Sequence, residues 1–193
     1  MRFAYADPPY IGQAKKHYAD EAAKAGRVAA EVDHAELVER LTEYDGWALS
    51  LSSPSLKQIL ALCPDDVRVA AWTKPFAFFK PWVWPTYAWE PVIFRRPKAR
   101  PHLRERPTPF DWVRCNPLGV TEREREHASG VKGRKPQAFC FWLFDMLDMR
   151  PEDELHDLFP GSGGVTAAWD QWRQHGRTWV ATSGEQLALE ESA

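Results

Sequence analysis

Arg2-Phe3-Ala4-Tyr5-Ala6-Asp7-Pro8-Pro9-Tyr10 stands at the head of the chain, and its first five residues are apolar and aromatic enough for a buried strand. Two consecutive prolines forbid its continuation, because neither can donate to a ladder. The strand therefore ends in a stiff turn. That turn offers an acceptor-only carboxylate (Asp7), carbonyls restrained by the rings of Pro8 and Pro9, and the flat face of Tyr10. Together they suit a planar heterocycle bearing an amino group. An ordinary strand-ending turn has the same composition, so a second feature must decide.

That feature is Leu155-His156-Asp157-Leu158-Phe159-Pro160-Gly161-Ser162-Gly163-Gly164, which reads as a strand and a glycine turn, followed by a helix from Val165 through Trp172 to about His175. Glycines after a strand let the backbone approach a ligand, and the following helix directs free amides and its positive dipole end towards it. A plain strand-to-helix turn is the alternative reading. Both stretches in one short chain point to a common purpose.

Asp7-Pro8-Pro9-Tyr10 resembles the catalytic tetrad of amino-group methyltransferases, which methylate exocyclic nitrogens of adenine or cytosine in DNA. Asp157-x-Phe159-x-Gly161-x-Gly163 resembles the S-adenosylmethionine loop of the same enzymes. Lys135-Pro136 opens a helix through Phe139, Trp142, Leu143, Met146 and Leu147, ended by Pro151. Taken alone it is an amphipathic helix; it also looks like the Lys-Pro helix that helps these enzymes bind the methionine portion of the cofactor. The order of parts is similar to the permuted beta group, whose catalytic half precedes the cofactor half. The resemblance implies an α/β fold: a Rossmann-like methyltransferase sheet, mostly parallel, with an antiparallel edge strand and circularly permuted motif order. It implies catalysis at Asp7, Pro8, Pro9 and Tyr10, and cofactor contacts from Asp7, Lys135, Pro136, Asp157, Phe159, Pro160, Gly161, Ser162 and Gly163.

The expected reaction is direct, in-line methyl transfer to the amino group of an adenine flipped out of DNA. Asp7 and the Pro8 carbonyl would accept the two amino protons and favour a pyramidal, nucleophilic nitrogen, while Tyr10 stacks on the base. Aspartate in the tetrad favours adenine over cytosine, and Tyr10 rather than tryptophan leans away from RNA. The alternative is a methyltransferase fold without catalysis, binding nucleic acid or a partner subunit. Family members usually end the next strand on an acid for the cofactor ribose. Here Arg177 to Thr182 is followed by Ser183-Gly184, with Glu185 late, and the sheet is expected to lack its usual last edge strand.

Length and composition set the frame. With 193 residues and 44% hydrophobic content, one domain over 1–193 is expected. No stretch approaches a membrane span and no room precedes the tetrad for a signal, so a cytoplasmic protein without membrane contact is expected. Cys63, Cys115 and Cys140 lack zinc-ligand spacing, and none follows a proline as a ring-carbon methyltransferase requires. No metal is expected.

A net charge of -2 hides an uneven distribution. From Arg95 to Lys135 twelve Lys or Arg face five acids, a local +7. This proline-punctuated insertion, at about 95–135, is the candidate target-recognition segment. Arg95, Arg96, Arg104 and Arg106 in it, with Lys15, Lys16, Lys74 and Lys80, are candidate DNA contacts; a solvated basic loop is the alternative. A homodimer or a partner subunit is open.

Between the motifs, Asp33-x-x-Glu36 resembles a capping box before a helix over Ala35, Leu37, Val38 and Leu41. Gly46 to Ser52 reads as a strand, Ser53-Pro54 as a helix start, and Val67 to Trp72 as the next strand. The alternation implies parallel neighbours joined by right-handed crossovers. Thr73 to Trp89 interleaves aromatics with lysines, suited to base stacking or to core packing. Tyr87 to Phe94 reads as the antiparallel edge strand, where Pro91 is tolerated.

Overall fold

The computed structural model describes residues 1–11, 32–77, 81–98, 100, 108–117 and 135–175. Six strands form one sheet: β1 (Arg2–Ala6), β2 (Gly46–Ser50), β3 (Arg68–Thr73), β4 (Trp89–Arg95), β5 (Trp112–Arg114) and β6 (Glu154–Asp157), in the order β5-β3-β4-β2-β1-β6. β1 runs parallel to both β2 and β6, and β3 parallel to β5, whereas β4 is antiparallel to β2 and β3. Five strands thus point one way and one points back, the mostly parallel α/β, Rossmann-like sheet expected from the sequence.

The antiparallel strand is not at the edge. β4 lies between β2 and β3, so strands two and three keep their common direction but are not neighbours. Pro91 is accommodated there because it pairs one residue beyond the last registered β2–β4 pair, Ser50 with Val92. Its carbonyl accepts from Leu51 at 3.3 Å, and the missing donor falls where β2 has already ended.

The helices are α1 (His34–Thr42), α2 (Leu56–Leu60, entered through a 3-10 turn at Ser53–Ser55), α3 (Gln137–Met146) and α4 (Gly164–His175). Asp33 caps α1, its Oδ1 accepting from Ala35 N at 2.9 Å and Glu36 N at 3.2 Å. β1 is buried on both faces, which is why it reads as a continuous apolar run. Its odd and even residues serve different cores. Phe3 and Tyr5 join Trp72, Val92, Phe94 and the residues of α3 and α4, including Phe139, Phe144, Trp169 and Trp172. Ala4 and Ala6 join Leu37, Val38, Leu41, Trp47, Leu49, Ile59 and Ile93 beneath α1 and α2. Phe144 meets Trp169 and Trp172 edge-on at 5.2 and 5.8 Å, and each such contact adds about 0.5–1.5 kcal/mol to simple burial. α3 is therefore not the amphipathic helix its sequence suggests; eight of its ten residues are buried. Gly46 is required where β2 meets β1, because a Cβ there would lie 2.7 Å from Phe3 Cε1 and 3.0 Å from Pro97 Cδ.

Candidate active site

The carboxyl ends of β1, β2, β3, β5 and β6 share one edge of the sheet, together with the amino end of β4. Beyond β1 the chain passes to α1 on one face, and beyond β6 to α4 on the other. Adjacent strands whose connections diverge in this way open a crevice between them, the usual ligand position in open α/β sheets. Tyr5 pairs with Asp157, and Leu158 N donates to Tyr5 O at 2.9 Å. Asp7, two residues on, is consequently within about 10 Å of Asp157 in backbone terms. The two sequence motifs flank one cleft.

On the Asp7 side the side chains form a part-buried charge network around the buried Lys135. Lys135 Nζ donates to Asp7 Oδ1 at 2.9 Å and lies 3.8 Å from Glu90 Oε2. Tyr10 OH donates to the same Oε2 at 2.9 Å, and Lys74 Nζ donates to Glu90 Oε1. Trp72 lies beneath both ammonium groups, 4.8 Å from that of Lys74 and 5.4 Å from that of Lys135. Behind them Tyr5 OH and Ser50 Oγ are hydrogen-bonded at 2.8 Å.

Electrostatics follow from burial and pairing. Burial pushes the Asp7 carboxyl up, against the pull of Lys135, and the Glu90 charge adds to the rise. Burial would discharge Lys135, yet the Asp7 carboxylate foremost, with that of Glu90, holds its ammonium well above the ordinary lysine value. Burial would also raise Glu90, but Lys135 and Lys74 keep it below its usual range. Burial drives the Tyr10 phenol far up, so it stays a proton donor to Glu90.

On the other side of the cleft Asp157 Oδ1 accepts from Phe159 N at 3.2 Å, while Oδ2 is buried without a partner. Its carboxyl is raised, chiefly by burial and further by the charge of Asp7. Gly161 and Gly163 take φ of +48° and +74°, the left-handed region that favours glycine. Space is open where a Cβ at Gly163 would sit. A carboxylate oxygen awaiting a donor beside an open glycine turn fits a polar ligand such as the expected cofactor.

The residues inferred from sequence fall into three sets. Asp7, Tyr10 and Lys135 are drawn together around Glu90 beyond the end of β1, with Pro8, Pro9 and Pro136 beside them in the chain, while Asp157, Phe159, Pro160, Gly161, Ser162 and Gly163 follow the neighbouring strand β6. Lys135, an expected cofactor contact, points its ammonium at Asp7, another residue of the same expected set. Lys74, a candidate DNA contact, is paired with Glu90. Arg95 and Arg96 lie at the opposite end of the sheet, five and six residues along from Glu90 or roughly 17 Å away and more. They pair there with Asp66 at 3.1 Å and Asp148 at 3.2 Å. Lys15, Lys16, Lys80, Arg104 and Arg106 lie outside the described residues, as does the stretch 177–185.

The local charge excess is also reduced by acids far away in sequence. Lys98 pairs with Asp66, Arg100 with Asp153, and Lys135 with Asp7. Glu90 was missed by sequence reasoning, although a lone carboxylate inside Trp89-Glu90-Pro91-Val92-Ile93-Phe94 is a signal in itself. In the aromatic loop between β3 and β4, Trp82 and Trp84 are fully exposed, whereas Trp72, near the end of β3, is core. Lys74 N donates to Ala88 O at 2.8 Å and closes its base beside the site. Cys63, Cys115 and Cys140 are thiols outside any disulfide, and burial raises that of Cys63 to about 11. Among the described residues no helix is long and apolar enough to cross a membrane, and no cluster of three His, Cys, Asp or Glu forms a metal site.

No protein-family model matches the chain, and no curated protein matches it. Among solved structures, the crystal structure of the M1.HpyAVI–SAM complex is similar to it. The identity is 17%, over 88% of this chain and 78% of that chain, with a TM-score of 0.47.

Proposed function

We propose that this protein transfers a methyl group from S-adenosylmethionine to the exocyclic amino group of adenine in DNA. The observation that carries the reading is the meeting of Asp7 and the Asp157–Gly163 turn across one crevice, at the ends of neighbouring parallel strands. In this reading Asp157 and the glycine turn hold the cofactor, the unpartnered Asp157 Oδ2 taking one of its donors. When bound, the cofactor supplies an electrophilic methyl on a sulfonium.

The chain's own part is to hold and activate the amino nitrogen. Its lone pair is delocalised into the ring, and acceptors at Asp7 and the Pro8 carbonyl favour the pyramidal form with the pair aimed outward. A carboxylate of raised basicity accepts more strongly, and more so as the nitrogen gains positive charge. Tyr10 presents its ring to the base and offsets part of the unstacking cost of a few kcal/mol. No covalent enzyme intermediate is needed; alignment and local charge supply the rate. The basic residues outside the described regions contribute phosphate contacts in this reading.

Incubation of the purified protein with methyl-labelled S-adenosylmethionine and unmethylated DNA, followed by mass spectrometry of the digested nucleosides, tests it. N6-methyladenine is expected. Label in another base moves the substrate assignment. Cofactor heat in calorimetry without transfer to any nucleic acid supports a binding module, and the absence of both ends the reading.

A further inference from the structure

Glu90 is the one acid on β4 and it meets three partners of the site at once. Its Oε2 accepts from Tyr10 OH at 2.9 Å and lies 3.8 Å from Lys135 Nζ, while Oε1 is held by Lys74. The Lys135 ammonium meanwhile occupies Asp7 Oδ1 at 2.9 Å, on the carboxylate that a nucleobase amino group needs. The Lys135 side chain is 6% exposed, so its ammonium has no path to bulk water that leaves its carboxylate partners in place.

Resting on the methyl-transfer reading, we infer that Glu90 is a positioning residue that fixes Tyr10 and receives Lys135 when Asp7 exchanges that ammonium for the amino group of the substrate. The separation sets the scale of the exchange. A move of about 1 Å turns the 3.8 Å approach into a hydrogen bond of ordinary length. Glu90 need not move, because Lys74 holds its Oε1 and Tyr10 its Oε2. Trp72 lies under the Lys135 ammonium at 5.4 Å and Phe139 at 5.9 Å, so the cation travels over aromatic faces. Protons stay balanced. Lys135 keeps all three, Asp7 loses one N–H donor and gains another, and Glu90 remains an anion between two cations.

Glu90→Gln keeps the shape and an acceptor for Tyr10 but removes the charge that draws Lys135 away. Steady-state transfer to unmethylated DNA, cofactor calorimetry and the pH profile of kcat/KM are read together. We expect kcat to fall at least tenfold while cofactor Kd stays within threefold of wild type. The acidic limb, reporting Asp7 in the free enzyme, moves to lower pH because a neighbouring anion is gone. Tyr10→Phe raises KM for DNA, and its effect combines non-additively with that of Glu90→Gln. A kcat within twofold of wild type with an unmoved acidic limb overturns the role, as do effects that simply multiply. Glu90→Asp withdraws the carboxylate by one methylene and serves if Glu90→Gln does not fold: a kcat fall of fivefold or more supports the role, wild-type kcat overturns it. A wild-type protein that transfers no methyl group defeats the parent reading instead, which separates the two failures.

Discussion

Two aspartates, one at each end of the sheet, carry the same charge and each meets a buried cation, yet the buried Asp153 and the part-buried Asp7 are driven in opposite directions. Asp153, just before β6, takes Arg100 through both oxygens at 2.7 and 2.8 Å, the Met1 amine at 2.9 Å and the Arg150 amide at 2.7 Å. Asp7, just after β1, takes Lys135 at 2.9 Å and feels the repulsion of Glu90. Burial works to raise both carboxyls. At Asp153 the guanidinium, the amine and the amide overcome it and the carboxyl is lowered; at Asp7 burial prevails. A carboxylate with every lone pair satisfied is a staple, while one that is part-buried and held by a single ammonium keeps acceptor capacity for a ligand.

The contrast breaks most visibly at Asp7. Asp7→Ala is expected to reduce methyl transfer by about 10⁴-fold or more, some 5.5 kcal/mol of barrier, with cofactor binding by calorimetry largely intact. Loss of folding in that variant would make Asp7 a second staple. Next in size is Asp153→Ala, which strands a guanidinium only 6% exposed and should lower unfolding free energy in denaturant by about 3–5 kcal/mol. Stability unchanged within 1 kcal/mol would remove the distinction from the other side.

The pH dependence sharpens the comparison, because the two signs are opposite. Asp153 is lowered on folding, so its contribution is complete above the ordinary aspartate value and is lost as pH falls through its depressed native one. Asp7 is raised, so its burden on the fold is present above its native value and relieved as pH falls through it. Between about pH 6 and 4, stability measured by denaturant titration should therefore fall less steeply in wild type than in Asp7→Asn. The reverse order would contradict the assigned directions. The smallest effect is expected at Asp157, also raised by burial: Asp157→Asn should leave stability at neutral pH unchanged or up by less than about 1 kcal/mol. Cofactor affinity should nevertheless drop about tenfold, a loss of roughly 1.4 kcal/mol of binding. Undiminished affinity would detach the glycine turn from the cofactor.

Much of this arrangement was legible in the chain itself. Prolines at positions 8 and 9 fixed the end of β1, the left-handed glycines at 161 and 163 fixed the turn after β6, and Asp33 marked the start of α1, because each is a local constraint on the backbone. The placement of β4 was not legible, since nothing local to Trp89–Arg95 states which two strands it enters between. Burial of Glu90 was concealed for a related reason. Its partners Lys74, Tyr10 and Lys135 come from three separate stretches, and only the sheet brings them together. Charge counting along the basic insertion is likewise blind to long-range pairing: Asp66, Asp148, Asp153 and Asp7, all outside it, pair with five of its cations, Arg95, Arg96, Lys98, Arg100 and Lys135. Patterns along the chain disclose which residues turn or bury, whereas compensation between distant charges is a property of the folded surface.

The aromatic loop rooted at Lys74 and Ala88 endows the protein with an optical handle. Five of its nine described indoles, those of Trp47, Trp72, Trp142, Trp169 and Trp172, are buried, while Trp82 and Trp84 stand in solvent. A water-soluble quencher will extinguish the red-shifted emission of that pair first, leaving the blue core signal. Shielding of the red component by an added oligonucleotide would then report contact at the loop without any label.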